Sequence, residues 1–249
     1  MKNIFISVVS HNHFDIIKKI NCLNKLSIAF NVILKSNIED KPLEKWCLDN
    51  KIHYFESISP VGFGENNNDI FDYCIDKLGM TSDDYFIILN PDIYIEESSI
   101  SQLISSMCLD KTQFAAINLF KDSSMSISDP SIRRYPKLSD FIISFFLKRN
   151  RTIIDKDKIT SPVFVEWAAG SFLAISAKAY MDANGFDTSY FMYCEDIDLC
   201  YRLKKYHKIN LKYFPSICAI HLAQHKNRNV FSKHFYWHLK STIRFLLKK

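Results

Sequence analysis

The chain has 249 residues, 47% hydrophobic and 24% charged, with a formal net charge of +5. That length buries a substantial core as one large domain or two small ones, in the composition of an ordinary globular protein. No apolar run reaches the roughly 18 residues that cross a bilayer, so a soluble or peripheral protein is expected. Seven cysteines, at 22, 47, 74, 108, 194, 200 and 218, form no CxxC pair. They read as reduced, mostly buried residues of a cytosolic protein. The opening MKNIFISVVSHN runs into a strand pattern and carries no signal-peptide cleavage site.

Ile4–Ser10 reads as a buried strand, and residues 14–26 carry apolar side chains at a helical period. Residues 31–34, 52–55 and Tyr85–Leu89 are further strands, with helices near 43–49 and 70–78 between them. This alternation predicts an α/β fold with a mostly parallel sheet, whose ligands bind beyond the carboxyl ends of the strands. The polar residues expected at that edge are Ser10-His11-Asn12, Ser36-Asn37, Gly62-Phe63-Gly64 and Asn90-Pro91-Asp92. The second half is less regular. Residues 123–137 read as a loop, 138–148 as an apolar helix and 149–162 as a polar connector. A strand is expected within 163–175, then a helix over 177–184 stopped by Gly185. There is no internal repeat. One domain over 1–230 with a C-terminal helix over 231–249 is the economical division.

Four groups of residues carry chemistry. Asp92 follows an apolar strand in a proline-fixed turn, which suits a hard divalent cation that also takes diphosphate oxygens, or is an ordinary turn. Residues 62–68, GFGENNN, bring flexible backbone and amide side chains to a strand-to-helix loop, without the spacing of a dinucleotide or P-loop fingerprint. Glu195-Asp196-Ile197-Asp198 opens a helix, where acids oppose the dipole and Asp198 pairs with Arg202 at i, i+4. The aromatic approach at 190–193 suits a sugar, and a carboxylate beside it suits proton abstraction from a hydroxyl. His221 is a metal ligand or a buried, hydrogen-bonded histidine.

The C-terminal end is basic, with Lys226, Arg228, Lys233, Lys240, Arg244, Lys248 and Lys249, which points to phosphates or a membrane surface rather than nucleic acid. Phe235, Leu239, Thr242, Ile243, Leu246 and Leu247 share a helical stripe. An interfacial helix and a helix packed on the core are both compatible with it.

In combination and in this order, these residues resemble the family 2 glycosyltransferases of the GT-A fold over nearly the whole chain. The carriers are Val8-Val9-Ser10-His11-Asn12, residues 61–68, Asn90-Pro91-Asp92, Ala169-Gly170-Ser171-Phe172, Gly185-Phe186-Asp187 and residues 191–200, FMYCEDIDLC. Residues 139–145 and 238–242 are most similar to bacterial O-antigen rhamnosyltransferases, which add L-rhamnose from dTDP-rhamnose to an N-acetylglucosaminyl-diphospho-polyprenol.

The resemblance implies an inverting, metal-dependent transferase acting on the inner face of the cytoplasmic membrane. Asp196 would be the base and Glu195 its helper. Ser10, Asn37, Gly62, Phe63, Gly64, Asn67, Arg133 and Arg134 would hold the nucleotide sugar. Trp167, Gly170, Tyr193, Lys226 and Arg228 would face the acceptor, and Asp92 and His221 would hold Mg²⁺ or Mn²⁺. Ser36 departs from the family's aspartate at the base contact, which leaves a different donor as an alternative. A nucleotidyltransferase and a non-catalytic sugar-nucleotide-binding module are the rivals of other classes.

Overall fold

The structure is a computed structural model that describes residues 2–137, 139–140, 151–222 and 233–248. In chain order the elements are β1 Ile4–Ser10, α1 Phe14–Ile20, α2 Leu23–Ala29, β2 Asn31–Ser36, α3 Lys41–Asp49, β3 His53–Glu56, α4 Phe63–Leu78, β4 Tyr85–Leu89, β5 Ile93–Tyr94, α5 Glu97–Leu109 and β6 Phe114–Phe120. Then come β7 Ile132–Arg133, β8 Val163–Val165, β9 Trp167–Ala168, β10 Phe172–Ser176, a helix Ala177–Asp182, an acidic helix Glu195–His207, β11 Leu211–His221 and a C-terminal helix Lys233–Lys248.

The main sheet runs β3-β2-β1-β4-β10-β6-β11-β5, with β8 pairing onto β11. Strands β1, β2, β3, β4, β6 and β11 point one way, while β10, β5 and β8 oppose them. The sheet is therefore mostly parallel, as the alternating pattern predicts. Its central strands are continuous apolar runs because helices cover both faces. Phe5, Ile33, Phe86 and Ile88 pack on one side against α4 and the 177–182 helix. Ile6, Val8, Leu34 and Ile87 pack on the other against α1, α2, α3 and α5.

Two boundaries differ from expectation. Residues 14–26 form two helices, because Asn21 turns left-handed (φ 50°) and closes α1. The apolar period survives the break, since Ile17, Leu23 and Leu26 are all buried. Helix α4 starts at Phe63 rather than near Ile70, so GFGENNN is a cap and first turns rather than a loop. The apolar helix expected over 138–148 falls mostly on residues outside the described set, as does the 230/231 boundary.

The C-terminal helix presents two faces. Ser241, Thr242 and Phe245 are buried against the domain, while Tyr236, Leu239, Ile243 and Leu247 are exposed. The single stripe read from the sequence thus divides, with Thr242 turned inward and Leu239, Ile243 and Leu247 outward. Lys248 fastens the end: its Nζ lies 2.6 Å from Asp198 Oδ1 and 3.0 Å from Asp187 Oδ2. Asp198 is fully buried and also accepts a 2.6 Å hydrogen bond from Arg202 Nε, the predicted i, i+4 pair. No described helix is long and apolar enough to cross a membrane.

Candidate active site

The carboxyl ends of β4, β6 and β11 bring together three titratable side chains. Pairing of Ile93 with His221 across β5 and β11 sets Asp92 beside His221, and Leu222 N–H donates to Asp92 O at 3.0 Å. His221 Nε2 faces Asp92 Oδ1 at 3.3 Å, and Nδ1 lies 3.2 Å from Asp129 Oδ2. Burial alone would lower the imidazole pKa, but the two carboxylates outweigh it and raise it to about 9. Burial pushes the Asp129 carboxyl up, but the hydrogen bond and charge of His221 together with the charges of Lys156 and Lys121 outweigh it and hold the group below the usual carboxylate range. Lys156, nearly buried, donates to Leu119 O at 2.9 Å and adds positive charge near Asp129.

Asp92 offers one carboxylate oxygen, and His221 offers one imidazole nitrogen once Nε2 gives up the proton that the raised pKa keeps on it. Asp92 Oδ1 is buried and accepts no well-formed hydrogen bond. That donor set fits a divalent cation whose remaining positions are filled by substrate oxygens. Among the described residues no cluster of three or more His, Cys, Asp or Glu is arranged to hold a metal by itself. Asp129 turns instead to the far nitrogen of His221, the place of an outer carboxylate that orients a ligating imidazole.

Glu195 and Asp196 begin the acidic helix, after Tyr193 and Cys194 take consecutive left-handed conformations (φ 70° and 67°). Such backbone is strained in non-glycine residues and turns the chain sharply into the helix. Gly170 N–H donates to Asp196 Oδ2 at 3.0 Å, and Ile197 N–H to Oδ1 at 2.8 Å. Burial raises the pKa of both carboxyls, and for Glu195 the charge of Asp196 raises it further. The two backbone donors and the Arg133 guanidinium favour charge on Asp196. Glu195 Oε2 is buried with no hydrogen-bond partner, so Glu195 is the member that keeps the proton. One dipeptide ties this pair to the metal-side turn, because Ser171 O accepts from Asn90 N–H at 2.9 Å while Gly170 reaches Asp196.

The residues expected to hold the nucleotide sugar mostly take partners within the protein. Asn37 clasps Val61 through both amide atoms, each bond 2.9 Å. Asn67 accepts from Ser7 Oγ at 2.7 Å and donates to Phe63 O at 2.9 Å, fully buried. Ser10, also fully buried, accepts from His13 N–H at 3.3 Å through its hydroxyl. The Asn37 and Asn67 amides and the Ser10 hydroxyl, expected at the nucleotide, thus each have a partner within the protein. They are buried, and buried polar groups take internal partners.

The glycines are needed for close approach. A Cβ on Gly62 would lie 2.5 Å from Phe191 O, and one on Gly64 would lie 2.7 Å from Phe186 Cβ. Phe63 N–H donates to Phe191 O at 3.2 Å, and the Phe63 ring abuts Gly170. Arg133 stacks over Trp167 with its guanidinium carbon 5.3 Å from the ring centre, and Arg134 is exposed.

Of the residues expected to face the acceptor, Trp167 is buried and donates from Nε1 to Arg134 O at 2.8 Å. Tyr193 packs edge-on to His238 of the C-terminal helix, ring centres 5.3 Å apart. Lys226 and Arg228 lie outside the described residues. Sequence reasoning missed Asp129 and Lys156. Both sit in segments without periodicity and are brought in at the end of β6, where Asp129 N–H and Lys156 Nζ each donate to Leu119 O at 2.9 Å.

A mostly parallel sheet with a carboxylate turn after β4 and an acidic helix beside it defines a glycosyltransferase of the GT-A class. Solved structures of that fold superpose on the chain. GalNAc-T7 with UDP, GalNAc and Mn²⁺ matches at TM-score 0.65 and 12% identity, over 99% of this chain and 48% of that one. TarS of S. aureus in complex with UDP-GlcNAc matches at TM-score 0.60 and 11% identity, over 93% and 61%. No protein-family model matches the chain.

Sequence likeness goes further. Rhamnosyltransferase WbbL of Escherichia coli (strain K12) is 41% identical over 99% of this chain and 93% of its own length. The N-acetylglucosaminyl-diphospho-decaprenol L-rhamnosyltransferase of Mycobacterium tuberculosis (strain ATCC 25618 / H37Rv) is 32% identical over 66% of this chain and 55% of its own. The chain belongs to the rhamnosyltransferases of the family 2, GT-A glycosyltransferases.

Proposed function

We propose that the enzyme transfers L-rhamnose from dTDP-rhamnose, with inversion, to an N-acetylglucosaminyl-diphospho-polyprenol in O-antigen synthesis. The observation that carries the mechanism is Asp196, aimed by Gly170 and Ile197 N–H and paired with a proton-holding Glu195. Asp196 takes the proton of the acceptor hydroxyl as that oxygen bonds to the anomeric carbon. The bond from that carbon to the diphosphate breaks, and its electron pair leaves with dTDP. Glu195 orients the acceptor through its retained proton. Arg133, 5.3 Å over Trp167, offers charge to the diphosphate, with Arg134, Lys226 and Arg228 as further phosphate contacts. Asp92 and His221 would hold Mg²⁺ or Mn²⁺, which would supply charge neutralisation for the departing diphosphate.

The acceptor class rests on the mycobacterial relative, whose name specifies an N-acetylglucosaminyl-diphospho-decaprenol acceptor. The exposed Leu239, Ile243 and Leu247, with Lys240 and Arg244 beside them, support a peripheral place on the inner face of the cytoplasmic membrane.

A second reading keeps the chemistry and changes the donor. Ser36 is fully buried and spends its hydroxyl on Ile38 O at 2.7 Å, so the base contact is built differently from the family's aspartate.

The test is transfer from a panel of nucleotide sugars to a synthetic N-acetylglucosaminyl-diphospho-lipid with Mg²⁺ or Mn²⁺. Product from dTDP-rhamnose alone is expected. Product from another donor selects the second reading, and none from any donor overturns the assignment of this acceptor.

A further inference from the structure

A second concavity, about 240 Å³, opens where the 187–194 loop meets the C-terminal helix. Its walls include Phe191, Tyr236, Trp237, Lys240, Ser241 and Arg244, with no acidic side chain among the lining residues. Phe191 and Trp237 form the aromatic side, ring centres 4.8 Å apart. Lys240 and Arg244 lie one helical turn apart and are both exposed, and Arg244 lies over the Tyr190 ring at 5.8 Å.

The cleft shares its loop with the catalytic region. Phe191 O accepts from Phe63 N–H, Met192 O accepts from Ser241 Oγ at 2.9 Å, and Glu195 begins the acidic helix just beyond. On its outer side runs the exposed apolar stripe of Leu239, Ile243 and Leu247.

Two exposed cations, Lys240 and Arg244, the second lying over an aromatic ring, stand beside the Phe191–Trp237 pair and an apolar ridge, which matches a diphosphate joined to a long hydrocarbon. We propose that this cleft seats the diphosphate and first prenyl units of the lipid-linked acceptor. Lys240 and Arg244 take phosphate oxygens there, Phe191 and Trp237 take the chain beneath, and the sugar extends toward Asp196. This deepens the proposed function and rests on its acceptor class. The residues so engaged are distinct from those that hold the donor.

The experiment measures binding of farnesyl diphosphate to the full chain by calorimetry without vesicles, for wild type and for the Lys240→Ala/Arg244→Ala double variant. Both side chains are exposed, so an unchanged Tm checks the fold. The double variant is expected to bind farnesyl diphosphate about tenfold more weakly or worse while binding dTDP like wild type. Equal affinity for farnesyl diphosphate, or no binding by wild type, overturns the seat. So does a double variant that loses phosphatidylglycerol vesicles yet keeps farnesyl diphosphate, which makes the patch a bilayer contact only.

Transfer assays separate this proposal from the reading beneath it. If wild type binds farnesyl diphosphate through these residues but glycosylates no N-acetylglucosaminyl-diphospho-lipid, the seat stands and the assigned acceptor sugar falls. If the double variant and wild type glycosylate that lipid equally, the seat falls and the function stands.

Discussion

His221 is gripped from both sides: Nδ1 sits 3.2 Å from Asp129 Oδ2 while Nε2 faces Asp92 Oδ1 at 3.3 Å. Asp92 comes from the turn after β4 and Asp129 from the loop between β6 and β7, and Asp129, behind the ring, holds it so that its other nitrogen points at the strand-tip turn. Carboxylates placed behind a ligating imidazole set its tautomer and basicity. Asp129→Ala is therefore expected to weaken Mn²⁺ binding about 10- to 100-fold in the presence of dTDP. The signal of free Mn²⁺ in electron paramagnetic resonance reads this without turnover. Unchanged Mn²⁺ affinity in a folded variant would remove Asp129 from that role.

Asp196 and Glu195 differ in what surrounds them. Asp196 has two backbone N–H donors and the field of Arg133, whereas Glu195 has a buried oxygen with no partner. Asp196→Asn keeps the shape and one acceptor atom but removes the base. Turnover is expected to fall about 10²- to 10⁴-fold with donor affinity unchanged. Wild-type kcat/KM should decline as pH falls through the raised pKa of the pair, and that acid limb should vanish in the variant. A variant retaining both the rate and the limb would place the base elsewhere.

The same pair makes stability depend on pH. Burial, then the charge of Asp196, lift the Glu195 carboxyl from 4.5 to about 8. Between those values the folded chain holds a proton that the unfolded chain has released. The contribution is fully present below 4.5 and is lost as pH rises through 8. Glu195→Gln removes the titration, so its Tm relative to wild type should rise with pH. The gain at pH 8.5 should reach a few kcal/mol, at about 1.4 kcal/mol for each tenfold change in proton affinity. A Tm difference that stays flat from pH 5 to 8.5 would mean that Glu195 titrates normally.

Strands β1 and β4, in the middle of the sheet, were legible because burial on both faces writes them as largely apolar runs, and Tyr85–Leu89 has the boundaries the sequence suggested. Helix α5 was not. Its buried Ile100, Leu103, Ile104 and Met107 keep a helical period, but serines between them blur it. At the site, the acidic helix start was visible because acids, glycine and aromatics cluster locally. Asp129 was invisible, since it meets His221 across 92 positions of sequence from a loop without period. The asparagines of α4 show the opposite failure. Their composition suggests ligand contact, but composition cannot tell that Ser7, Phe63, Tyr180 and Phe186 already occupy the amides of Asn67 and Asn68.

Lys248 and Asp198 decide how the C-terminal helix is attached. Asp198 is fully buried and receives both Lys248 and Arg202, while Arg202 also donates to the carbonyls of Ala183 and Gly185. Removing one partner from a buried charge network is costly because the remaining charge keeps its desolvation. Lys248→Ala should destabilise the fold by about 3 kcal/mol, the lower end for such a loss, since Arg202 still faces Asp198. Leu247→Ser, one residue earlier but exposed, should leave the urea midpoint within about 0.5 kcal/mol of wild type. If Leu247→Ser costs as much as Lys248→Ala, the helix end is held by apolar packing. If neither variant moves the midpoint, the end of the helix is not fastened to Asp198 in solution.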